Sequence, residues 1–147
     1  MTGARSVSEL LNGIGQPGLW ELEGGPLLLG YDWPNTARAG STVQLATYWS
    51  FGAIAPAQRN LGHDLIIQLV GADGAAHTTT HPFGLAAHFW QPGQVLVVWS
   101  DVVPPDAGSY AVGVAMLASD GSNNGWIDAN REVQGYFAPL GWVQAQP

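Results

Sequence analysis

Apolar and polar residues alternate along this chain with a two-residue period, the signature of half-buried β-strands. In Ser41–Phe51, Val43, Leu45, Thr47, Trp49 and Phe51 share one face, and Thr42, Gln44, Ala46, Tyr48 and Ser50 share the other. Leu65–Val70 is a short apolar run that ends in the turn signal Gly71-Ala72-Asp73-Gly74. Val95–Trp99 sets Val95, Val97 and Trp99 against Leu96 and Val98, and Ser109–Leu117 groups Tyr110, Val112, Val114 and Met116. Pro26–Trp33 and Gly135–Gln144 read as two more strands, the last interrupted by Pro139 and Gly141. Turn residues separate these runs at regular intervals: Pro34-Asn35, Ala39-Gly40, Pro92-Gly93, Pro104–Gly108 and Asp120-Gly121. A helix is expected only at Val7–Asn12, capped by Ser6 or Ser8 and stopped by Gly13.

The pattern predicts an all-β protein: one antiparallel β-sandwich, Ig-like or jelly-roll, of about seven to nine strands. Residues 1–25 are read as a lead-in that packs against the sandwich, and residues 26–147 as the sandwich itself. The length of 147 residues fits one such domain.

Composition changes the picture through charge. Only 10% of residues are charged, none is lysine, and four arginines against eleven acids leave a net charge of −7. A basic stripe cannot form, so nucleic acid and anionic lipid lack an electrostatic handhold. No apolar run approaches the roughly 18 to 20 residues needed to span a bilayer, so direct membrane insertion is not expected. The first fifteen residues carry no secretory signal pattern. The absence of cysteine excludes thiol chemistry, thiolate metal sites and disulfides.

Several segments in order resemble a known module. They are Leu28-Leu29-Gly30-Tyr31-Asp32, Ala39–Trp49, Leu65–Gly74, Trp90-Gln91-Pro92-Gly93-Gln94-Val95 and Pro104–Tyr110. Together they resemble the β-sandwich domain at the C-terminal, non-membrane end of bacterial polytopic glycosyltransferase-like proteins. The resemblance spans residues 26–119, with Gln94 where that family usually has an acid. It implies an Ig-like or carbohydrate-binding-module-like sandwich in the cell envelope or exterior, and brings no catalytic residues with it.

Candidate chemistry is sparse. Gly13–Gly18 spells G-x-G-x-x-G, but a dinucleotide site needs that string between a strand and a following helix, and here Trp20 follows. His77 and His81 would share a strand face about 13 Å apart, too far to bind one zinc together without a turn between them. His88 is a third histidine nearby, and His63 beside Asp64 lacks a serine setting for a hydrolytic triad. Glu21 with Glu23, or Asp101 with Asp106, are the acid pairs available for glycoside chemistry.

The densest cluster of oxygen ligands is Asp120, Asn123, Asn124 and Asp128, so a structural calcium on Asp120, Asn123 and Asp128 is the one cofactor the pattern offers. Among aromatics, Trp49 and Trp99 are placed in the core by their strand phase. Trp33, Trp90 and Trp126 fall in turns, where the rings either cover the ends of the sandwich or, if exposed near amides and carboxylates, stack on sugars. Trp126 with Asn123, Asn124, Asp128 and Asn130, joined by Trp90, is the expected ligand site.

The resulting expectation is a non-catalytic accessory domain outside the cell or in its envelope, binding a glycan or polysaccharide through exposed tryptophans. Self-association as a surface or filament subunit is the alternative, which low charge would favour. A small sandwich or barrel enzyme with an unrecognised pocket is the third.

Overall fold

The alternating run at 43–51 forms a nine-residue strand whose Val43, Leu45, Trp49 and Phe51 all reach the interior. Thr47 lies on the same face and is fully buried; its hydroxyl accepts the Trp49 indole N–H at 2.8 Å and donates to the Val98 carbonyl at 3.4 Å. A polar group is thus satisfied inside an apolar row.

This strand belongs to a computed structural model that describes residues 16–34, 36–54, 56, 60–128, 130 and 132–147. The expected helix at Val7–Asn12 lies outside the described residues. In chain order the strands are β1 (Gln16–Leu22), β2 (Pro26–Asp32), β3 (Thr36–Arg38), β4 (Val43–Phe51), β5 (His63–Gly71), β6 (Ala76–Pro82), β7 (Leu96–Val102), β8 (Gly108–Ala118), β9 (Trp126–Ile127), β10 (Val133–Gly135) and β11 (Ala138–Gln146). A 3-10 turn at Ala87–Phe89 lies between β6 and β7.

The strands form two sheets, β10-β9-β1-β2-β4-β7 and β3-β11-β8-β5-β6. All pairings are antiparallel except β3, which runs parallel to β11. The protein is therefore an all-β sandwich, with the Greek-key connectivity of Ig-like domains in β2, β4 and β7 against β11, β8, β5 and β6. A tyrosine corner marks the crossover into β8: the Tyr110 hydroxyl donates to the Asp106 carbonyl at 2.9 Å and accepts the Asp106 N–H at 3.2 Å.

The core fills the space between the sheets. Leu65, Ile67 and Leu69 of β5 and Val112, Val114 and Met116 of β8 face Leu45, Trp49 and Phe51 across it. One end is closed by rings. Phe51 stacks on Trp90 at 4.9 Å, and Phe83 meets Trp49 at 5.4 Å and Trp90 at 5.5 Å edge-on. The Tyr31 hydroxyl on β2 donates to the Leu140 carbonyl on β11, tying the two sheets together.

Three expectations are corrected. Segment 1–25 is not wholly a lead-in, because Gln16–Leu22 joins the first sheet and buries Leu22 beside β2. Trp99 is exposed, whereas Val98, Ser100 and Val102 are buried: β7 follows the opposite phase. Trp33 and Trp90 are buried despite their turn-like neighbours. Trp90 follows the 3-10 turn, and its indole N–H donates to the Leu85 carbonyl at 2.9 Å.

Gly141 makes the Tyr31 contact sensitive. It adopts φ +154, and a Cβ there would lie 2.5 Å from the Tyr31 hydroxyl oxygen. Gly121, at φ +90, faces open space. Urea denaturation should show Gly141→Ala losing about 2 kcal/mol more stability than Gly121→Ala, because only the former adds a clash and displaces a bond between the sheets. Equal losses would mean that backbone strain alone accounts for both.

Candidate functional site

Side chains that the core rejects decide what each outer face presents. On β11, Leu140, Val143 and Ala145 point inward, and Trp142 is left outside with 69% of its surface exposed. Register then fixes its neighbours. Trp142 pairs with Ala111 of β8, which pairs with Val70 of β5, which pairs with Ala76 of β6. Residues facing each other in this way lie on the same face of the sheet.

The adjoining rows supply polar groups. Toward one end, Gln144 opposes Ser109, whose hydroxyl donates to the Gln144 side-chain oxygen at 2.5 Å. Toward the other end, Gly113 opposes Gln68, which opposes Thr78, and Ala115 opposes Ile66, which opposes Thr80. Phe137 lies over Gly113, where an added Cβ would be 3.2 Å from the Phe137 Cβ. The centre of the face is kept low by Ala111, Gly113 and Ala115. The result is a platform with an exposed indole and a half-buried phenyl ring, bordered by amides and hydroxyls.

The other exposed indole has different company. Trp99 opposes Ala46 on the outer face of the first sheet, beside Val97 and near a small apolar cluster of Leu29, Ala46 and Tyr48. The Tyr48 hydroxyl donates to Asp32 at 2.6 Å, and burial together with that carboxylate pushes the phenol up to about 12. That face is richer in aliphatic groups and carboxylates than in amides.

The expected ligand site is a long insertion between β8 and β11, and its polar groups are largely spent on itself. Trp126 is half-buried against the main core. Asn124 is buried; its side-chain amide donates to the Glu23 carbonyl at 2.7 Å and its backbone N–H to the Met116 carbonyl at 3.0 Å. Asn123 is exposed and bridges Leu117. Asp128 ties the β9–β10 hairpin, one oxygen accepting from the Asn130 and Glu132 N–H groups and the other from the Gln134 amide at 2.9 Å. Asn130 is exposed at that turn. Trp90 is a buried core ring.

The same bonds bear on the calcium expectation. Asp120 accepts the Ser122 N–H at 2.9 Å and the Ser122 hydroxyl at 2.5 Å, an ordinary Asx turn that, with charge from His63, holds its carboxyl below the usual range. Among the described residues no three His, Asp or Glu side chains come together as metal ligands. His77 and His81 do share the inward face of β6 but diverge: His77 meets the Tyr110 ring at 6.3 Å, and the His81 Nε2 donates to the Asp101 carbonyl at 2.8 Å. His88 packs on Phe89. Of the acid pairs, Glu21 is on β1 and Glu23 in the turn after it, while Asp101 is on β7 and Asp106 at the tyrosine corner.

Comparison with known proteins adds little. No protein-family model matches the chain, and no curated protein matches it. Among solved structures, it is similar to the crystal structure of a CARDB domain of a Pyrococcus furiosus protein in complex with di-metal ions. The identity is 9%, the TM-score 0.44, and the match covers 89% of this chain and 92% of that one. The β-sandwich part of the expected resemblance stands on the sheets described above; nothing found supports an origin in glycosyltransferase-like membrane proteins.

His63 gives a pH test of how this end of the sandwich is built. Its ring packs on Trp90 at 4.6 Å, and burial lowers its pKa below 6.5, opposed by the Leu61 backbone and by Asp120 and Asp64. The unfolded chain therefore takes up the proton first as pH falls. The His63 contribution is present above pH 6.5 and is lost as pH drops through the folded-state pKa. Chemical denaturation between about pH 7.5 and 5.5 should show wild-type stability falling more steeply than that of His63→Gln. Parallel slopes would contradict this.

Proposed function

We propose that this chain is a non-catalytic carbohydrate-binding domain that works outside the cell or in its envelope, using the platform around Trp142. The observation that carries the reading is an indole with 69% of its surface exposed in a strand, beside small side chains and within a field of Gln144, Ser109, Gln68, Thr78 and Thr80. An indole face covers the apolar face of a sugar ring, and amides and hydroxyls replace the water bonded to sugar hydroxyls. The low charge of the chain suits a neutral or weakly charged ligand. Its net charge of −7 disfavours acidic polysaccharides.

Self-association is the second reading, favoured by Trp99, which is 61% exposed on the edge strand β7 beside Val97. Edge strands with exposed apolar groups invite pairing with another chain.

A glycan array followed by titration of the best ligand tests the first reading. Trp142→Ala should weaken binding about tenfold or more, the equivalent of about 1.4 kcal/mol, with little change in thermal stability. Trp126→Ala should instead lower stability, because that ring packs on the core. Binding that survives Trp142→Ala, or no glycan bound at all, would overturn the proposal. Light scattering that shows oligomers dispersed by Trp99→Ser would favour the second reading.

A further inference from the structure

A sandwich of two open sheets has four edges, and each exposes backbone N–H and C=O groups that can pair with another chain. Here the edge strands are β10 and β7 in one sheet and β3 and β6 in the other. Two of them, β3 and β10, are only three residues long. β6 runs for seven residues, but His77 through His81 are all polar and the strand ends at Pro82. Shortness, polarity and proline are devices by which edges avoid pairing. β7 has none of them. It spans Leu96–Val102, holds no proline or lysine, opens with four apolar residues and pairs with β4 over seven successive positions without a bulge.

The groups on its free side can be named. The Val98 carbonyl accepts the hydroxyl of Thr47, the residue opposite it in β4, at 3.4 Å, so Val98 turns its backbone toward β4. Asp101 turns its carbonyl the other way, where the His81 ring of β6 donates to it at 2.8 Å. Backbone groups alternate in direction along an antiparallel strand. Val97 and Trp99 therefore present their N–H and C=O at the open edge, and among the described residues no strand lies beyond them.

We infer that β7 pairs antiparallel with β7 of a second copy of this chain, about a two-fold axis through Val98. This rests on the self-association reading and supplies its interface. With the axis there, Val97 of each copy exchanges backbone hydrogen bonds with Trp99 of the other, and the Asp101 carbonyl stays with His81. On the outer face each exposed indole then lies against a valine, an aromatic and β-branched cross-strand pair. The register also suits the charge. Asp101, the one charged residue of β7, falls opposite Val95 of the other copy. The two Asp101 residues then stand about 20 Å apart along the ladder, beyond the screening length of about 8 Å at physiological salt. A two-fold axis of this kind is normal to the sheet, so the two first sheets become continuous and both Trp142 platforms face the same way. A surface bearing many glycans can then engage both at once.

The chain contains no cysteine, so a single introduced thiol reports the register. At the axis Val98 lies opposite its own copy, with Cα atoms about 4.5 Å apart, within reach of a disulfide. Mild oxidation of the Val98→Cys variant should give a covalent dimer. Ser100→Cys, equally inward-facing but about 13 Å from its own copy in this register, should stay uncrosslinked. Light scattering of the wild-type chain should give twice the monomer mass, and Trp99→Lys, at an exposed position, should halve it. Oligomers that Val98→Cys does not crosslink, or that Ser100→Cys crosslinks as well, would overturn the β7 pairing and leave self-association standing. A wild-type chain that is monomeric at every concentration would overturn both, and neither result touches glycan binding through Trp142.

Discussion

Burial of aromatic and branched side chains between two sheets about 10 Å apart is the constraint on which the rest depends. Trp49, Phe51, Phe83 and Trp90 close one end of the interior as a connected set of rings. Burying a side chain of this size contributes about 1.5–3 kcal/mol, so each strand is held firmly in the phase that puts these groups inside. The two-residue period then leaves no freedom for the alternate positions. Once Val98 and Val102 are inward, Trp99 must be outward; once Val143 and Ala145 are inward, Trp142 must be outward. The surface chemistry of the domain is in this sense a by-product of its core.

That link explains what could be read from the residues and what could not. The phases of β4 and β8 were legible because one face is plainly more apolar than the other: Val43, Leu45, Trp49 and Phe51 against Gln44 and Ser50, and Tyr110 through Met116 against small residues. The phase of β7 was ambiguous because Leu96, Val97, Val98 and Trp99 are all apolar. Asp101 shares its face with Trp99, and Val102 shares its face with Val98; extending the strand by three residues would have settled it. Trp90 departs from its local pattern for another reason. Its Pro92-Gly93 neighbours mark a turn correctly, but a turn that crosses the end of a sandwich can bury a ring against Phe51 and His63. Strand β1 is not legible in the residues because Pro17 and Gly18 interrupt its alternation, so its place is set by pairing with β2 and β9.

The candidate site was less legible than the fold. The insertion holding Asn123, Asn124, Trp126, Asp128 and Asn130 has the residue types of a sugar site, yet its hydrogen bonds run inward to Glu23, Met116 and its own backbone. They build a hairpin that extends the first sheet past β1. The Trp142 platform assembles from β11, β8, β5 and β6, four strands spread over residues 63–146, and only register brings its side chains together. One local signal was present: a tryptophan between Leu140 and Val143, followed by the polar alternation of Gln144 and Gln146.

In the proposed mode of binding, Trp142 and no other tryptophan meets the glycan. The seven tryptophans give seven indole N–H signals in a nitrogen–proton correlation spectrum, so a glycan titration reads all of them at once. Binding at the platform should move the Trp142 signal, with Trp49 and Trp90 silent in the core and Trp99 unaffected on the opposite sheet. Saturable movement of the Trp99 or Trp126 signal with Trp142 unmoved would contradict it.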